Sequence, residues 1–150
     1  MKRFVNVHKG EATAGRGEVV LKSDIRDRSC FAIVARDPMH KIGAIAHATF
    51  LHSAHKEKTD PILSKDAREA INKMISNMTL LGATSDDIEV SLVAGENVEH
   101  QRNDSEYDEE VGRIFNILKE RHIRCREVSA VDAGHKHVTL DVETGDISYI

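Results

Sequence analysis

The chain has 150 residues, 40% of them hydrophobic and 31% charged, with a formal net charge of −4 and a pI near 6.1. That size and balance fit one folded domain over residues 1–150 with a substantial core. The 21 Lys and Arg are scattered among 25 acids without an aromatic-interleaved basic patch, so nucleic acid is not expected as a partner. No stretch is long and apolar enough for a membrane span or a signal peptide, so a cytoplasmic protein without membrane insertion is expected.

Phe4 to Val7 and Glu18 to Leu21 read as short strands. Between them, Gly10, Gly15 and Gly17 predict a mobile or tightly turned loop. Phe31 to Ala35 and Ile42 to Phe50 are apolar, and the intervening Arg36-Asp37-Pro38-Met39-His40-Lys41 has turn chemistry, so the segment reads as a hairpin. From Ser64 the period changes: Ala67, Ala70, Ile71, Met74, Ile75 and Met78 recur at helical steps, with Ser64 as cap and Gly82 as stop. Methionines at this spacing are core filling.

Ile88 to Val93 reads as a strand that sets Ile88, Val90 and Leu92 against Glu89, Ser91 and Val93. Polar residues from Gly95 to Tyr107 predict an exposed loop. A second helix near Glu109 to Glu120 carries Val111, Ile114, Phe115 and Leu118 on one face, with Tyr107-Asp108-Glu109-Glu110 as an acidic first turn. Ile123 to Val128, Val138 to Val142 and Ile147 to Ile150 complete the strands. The order predicts an α+β fold, a single-domain layered α/β sandwich of mostly antiparallel strands with two main helices, rather than a doubly wound parallel sheet.

The chemistry concentrates in the predicted hairpin. Cys30 opens its first strand and His47 lies seventeen residues later in the second, so adjacent strands bring a thiol and an imidazole together. A free thiol has a pKa of about 8.5 and needs a base to act as a nucleophile near neutrality. Histidine, with an ordinary pKa of about 6.5, accepts and returns a proton in that range. Cys125, in Ile123-Arg124-Cys125-Arg126-Glu127, reads as a strand residue with a reduced thiol. His135 with His137, and His47 with His52 and His55, lie close in sequence, but neither group has a recognisable ligand spacing. No metal or other cofactor is expected.

Ser29-Cys30 before an apolar strand, Arg36-Asp37-Pro38 at its end and Gly43-Ala44-Ile45-Ala46-His47 in the next resemble the core motif of the CheD family, the chemoreceptor glutamine deamidases of chemotaxis. Val93-Ala94-Gly95, Val131-Asp132-Ala133-Gly134 and Asp141-Val142-Glu143-Thr144-Gly145-Asp146 follow in the family's order, so the resemblance covers most of the chain.

It implies a CheD-like three-layer sandwich in which Cys30 is the nucleophile and His47 the base for hydrolysis of a glutamine side-chain amide. The implied partners are the cytoplasmic helices of methyl-accepting chemoreceptors and a CheC-like phosphatase. A binding module that regulates either partner without catalysis is the alternative. The chain departs from the family before the cysteine, where members usually carry a threonine six residues upstream. By counting, Asp24 takes that place and could serve as the third catalytic member; a one-residue slip would put Ser23 there instead.

Overall fold

The computed structural model describes residues 2–8, 10–25, 30–49, 61–94, 104–128 and 137–149. The elements in chain order are β1 (Arg3–Val7), β2 (Ala12–Arg16), β3 (Val19–Asp24), β4 (Cys30–Asp37), β5 (Ile42–Thr49), α1 (Pro61–Leu80) and a 3-10 turn (Ser85–Asp87). They continue with β6 (Glu89–Ala94), α2 (Asp104–Glu120), β7 (Arg124–Val128), β8 (His137–Asp141) and β9 (Ile147–Tyr149).

Two sheets result, one in the order β2-β5-β4-β6-β7 and one in the order β1-β3-β8-β9. β1 with β3 and β6 with β7 pair in parallel; the other ladders are antiparallel. The five-stranded sheet is apolar on both faces, which sets the layer order. Ile33, Ala35, Ala44, Ala46, Val90 and Leu92 join Ile71, Met74, Met78 and Ile114 of the helices in one core. The alternate residues Ala32, Val34, Ile45 and Val93 join Leu21, Val138 and Leu140 of the four-stranded sheet, and Ile25 just past β3, in another. The architecture is thus the expected α+β sandwich: helices, the five-stranded sheet, then the four-stranded sheet.

Several expectations change. The supposed glycine loop contains β2, whose Ala12, Thr13 and Ala14 run antiparallel to β5; alanine and glycine are weak strand formers, and the single Thr13 among them gives too little β signal. α1 starts at Pro61, so Ser64 lies inside the helix rather than at its cap; a proline suits the first turn because its missing N–H has no helical acceptor there. α2 begins at Asp104, which places Asp104 to Tyr107 in the helix and moves the acidic run inward. Its buried face is Ile114, Ile117 and Leu118, and Phe115 stands off it, 39% exposed. Residues 95–103 lie outside the described residues.

Both helices end in the same reciprocal pattern. After α1, Gly82 N–H donates to Thr79 O and Ala83 N–H to Met78 O, with Gly82 at φ 112°. After α2, His122 N–H donates to Lys119 O and Ile123 N–H to Leu118 O, with His122 at φ 59°. These are Schellman caps, and the left-handed residue costs a side chain about 1 kcal/mol that glycine avoids. His122→Gly is therefore expected to raise stability by about 0.5–1 kcal/mol in urea unfolding; a lower midpoint would show that the imidazole contributes more than its backbone strain costs.

Candidate active site

The two sheets enclose His47. It lies near the end of β5, 4% exposed, on the face of the five-stranded sheet that packs against the four-stranded one. Ser23, 1% exposed, points inward from β3 of that second sheet, and its Oγ lies 3.1 Å from His47 Nδ1. Ser23 Oγ also donates to the Val7 carbonyl oxygen of β1, at 3.0 Å.

Counting donors fixes the direction of the chain. A carbonyl can only accept, so the serine proton is committed to Val7 and the serine oxygen accepts from His47. The imidazole thus carries its proton on Nδ1 and presents Nε2 as the basic nitrogen, the arrangement a general base requires.

In the β4–β5 ladder Ala32 faces His47 and Cys30 faces Thr49. Backbone positions 30, 32 and 47 therefore fall on one face of the sheet, with 30 and 47 as diagonal cross-strand neighbours, a relation with a typical spacing of about 7–8 Å. The hairpin that the sequence predicted between a thiol and an imidazole is present. Residues 26–29, including most of the charged segment before Cys30, lie outside the described residues, as do His52, His55 and His135 of the histidine groups.

Asp24 lies on the face of β3 opposite Ser23. It pairs with His137 across β3–β8 and is exposed, whereas its neighbour Ser23 pairs with Val138 and is buried. Successive strand residues alternate between faces. The run Val19-Leu21-Ser23-Ile25 packs inward, so the odd-numbered serine reaches His47 and the even-numbered carboxylate does not. That parity is legible in the sequence; counting back six places from Cys30 lands on the even-numbered residue instead. The Val7 carbonyl gave no signal, because a main-chain acceptor has no residue identity.

The remaining motif residues have structural roles at the far end of the hairpin. Arg36 donates through Nε to Val142 O (3.0 Å) and through Nη2 to Glu143 O (2.7 Å), tying the five-stranded sheet to the β8–β9 turn. A Cβ on Gly145 would lie 2.6 Å from Arg36 Nη1, so the glycine of Glu143-Thr144-Gly145 admits the guanidinium. A small cavity of about 150 Å³ opens beside this contact, bounded by Val34, Arg36, Ser91, Leu140 and Thr144. It is smaller than the roughly 300–1,000 Å³ typical of metabolite pockets.

Asp37, His40 and Asp87 place potential ligand atoms within 4.8 Å of one another. Asp37 already uses both oxygens on protein donors: Oδ1 accepts from Met39 N (3.0 Å) and His40 N (3.3 Å), and Oδ2 from His40 Nδ1 (2.8 Å) and Thr84 N (2.9 Å). These bonds fasten the turn after β4 to Thr84, beyond the end of α1.

No family model matches the chain. Over 145 residues it is 26% identical to a Chlorobium luteolum protein named probable chemoreceptor glutamine deamidase CheD, covering 93% of this chain and 69% of that one. Among solved structures it is similar to a Neisseria meningitidis protein described under the family model DUF152, with TM-score 0.56 and 10% identity over 86% of this chain. A Bacillus licheniformis hypothetical protein, YfiH, gives TM-score 0.49 and 16% identity over 80%. This chain spans 64% and 50% of those two structures' own chains. At 10% identity the Neisseria likeness concerns the fold alone. Among the described residues, no helix is long and apolar enough to cross a membrane.

Proposed function

We propose that this chain is a CheD-like thiol amidohydrolase that converts glutamine side chains on the cytoplasmic helices of chemoreceptors to glutamate. One observation carries the reading: His47 is buried with its Nδ1–H directed to Ser23, on the strand next to the one that begins with Cys30. The similarity to a protein named as a deamidase supplies the reaction class.

In this mechanism His47 Nε2 removes the Cys30 thiol proton and the sulfur attacks the amide carbon. The tetrahedral intermediate collapses as His47 returns that proton to the departing nitrogen, releasing ammonia and leaving a thioester. Water, deprotonated by the same imidazole, then attacks the thioester and frees glutamate and the thiol. Ser23 holds the tautomer throughout, a positioning role in which a hydroxyl replaces the carboxylate of better-known triads. The reaction takes place in the cytoplasm, where a reduced Cys30 persists.

The test is mass spectrometry of a chemoreceptor cytoplasmic fragment incubated with wild-type protein and with Cys30→Ala. A gain of about one dalton per modified site, absent with the variant, is the result expected of a covalent thiol mechanism. An unchanged mass with the wild-type protein would overturn the deamidase reading and favour a binding module for a chemoreceptor or a CheC-like phosphatase.

A further inference from the structure

We propose that Glu11 is a positioning residue for His47, acting through a main-chain brace formed by the His8–Glu11 turn. The catalytic consequence rests on the reading above; the brace itself does not.

The β2–β5 ladder ends at the pair Ala12 and Ala46. One residue further on, the turn takes over the free edge of β5: Gly10 N–H donates to His47 O (3.0 Å) and His47 N–H donates to Glu11 O (2.9 Å). Both main-chain polar groups of His47 are thus held by two residues of one turn. The turn closes through Glu11 N–H to His8 O (2.9 Å), with Gly10 at φ 81°. It is closed a second time because the Glu11 carboxylate accepts from His8 N–H at 2.8 Å.

The same segment carries the serine's acceptor, since Val7 immediately precedes His8. A shift of the turn therefore acts on His47 by two routes. It moves the main chain that places the ring, and it moves the carbonyl that holds the Ser23 proton and with it the Nδ1–H tautomer. Among the described residues the closing carboxylate is the one side chain in this brace, and it needs only to accept a hydrogen bond. Glutamine should substitute for it and alanine should not.

The experiment compares wild type, Glu11→Ala and Glu11→Gln by amide hydrogen exchange along β5 and by ¹⁵N spectroscopy of the His47 ring. Loss of one exposed hydrogen bond speeds local opening by about two- to tenfold. In Glu11→Ala that acceleration is expected at the His47 amide and not at Ile45, and the ring should change from Nδ1–H to a mixture of tautomers. Glu11→Gln should match wild type in both.

Unchanged His47 exchange and tautomer in Glu11→Ala would overturn the brace, as would equal acceleration along the whole of β5. Failure of Glu11→Gln to restore the wild-type signals would also overturn it. Alkylation of Cys30 by iodoacetamide, compared between wild type and His47→Ala, tests the Cys–His reading separately. Equal alkylation rates there, with the His47 signals responding to Glu11 as expected, would sink the reading and leave the brace standing.

Discussion

Replacing His47 by alanine is expected to lower receptor deamidation by about 10²- to 10⁴-fold, the range that a positioned general acid–base contributes. The loss should fall on turnover. An unassisted thiol with a pKa of about 8.5 is only a few per cent thiolate at pH 7, and the leaving nitrogen would lack its proton donor. Alkylation of Cys30 at mildly acidic pH should slow in the same variant. Asp24→Asn is the matched control: that side chain projects from the face of β3 opposite Ser23, so activity should stay near wild type. Equal deamidation by wild type and His47→Ala would end the case for this imidazole as the base, and a collapse in Asp24→Asn would restore the carboxylate that the geometry displaces.

The hairpin was the most legible part of the chain, because two apolar strands around Asp37-Pro38 fix each other's register and bring positions 30 and 47 onto one face. α1 was legible through Ile71, Met74, Ile75 and Met78, all buried as the period required. β2 was not legible, since its alanines and glycine qualify as a strand only by pairing with β5, a tertiary fact. The candidate site divides along the same line. Cys30 and His47 stand out in the sequence as a pair on adjacent strands, and strand parity favours Ser23 over Asp24 as the residue facing His47. The Val7 carbonyl and the main-chain groups of Gly10 and Glu11 belong to no residue type, so only the folded arrangement reveals them. Arg36 and Gly145 stood out as a motif because they fit each other, not because they react.

Asp37→Ala is expected to destabilise the fold by about 3 kcal/mol or more, since it strips a buried acceptor from several donors at once. For a chain of this size that lowers Tm by roughly 6–12 °C. Asp37 is fully buried at the end of β4, and its oxygens join the hairpin turn at Met39 and His40 to Thr84, beyond the end of α1. Asp37→Asn should lose nearly as much, because its amide NH₂ would oppose the Thr84 N–H or the His40 ring where a carboxylate accepts both. Burial alone pushes the Asp37 carboxyl up, but donation from Thr84 N–H, the His40 ring and His40 N–H outweighs it and holds the group below its ordinary value. A carboxyl depressed on folding contributes stability in full above its unfolded pKa of about 3.9, and that contribution is lost as pH falls through this value towards the folded one. Urea unfolding between pH 6 and pH 3 should therefore show wild-type stability falling more steeply below about pH 4.5 than that of Asp37→Asn, whose side chain has no proton to bind. Parallel curves would mean that Asp37 titrates alike in the folded and unfolded chain, and that its four hydrogen bonds do not favour the charged form.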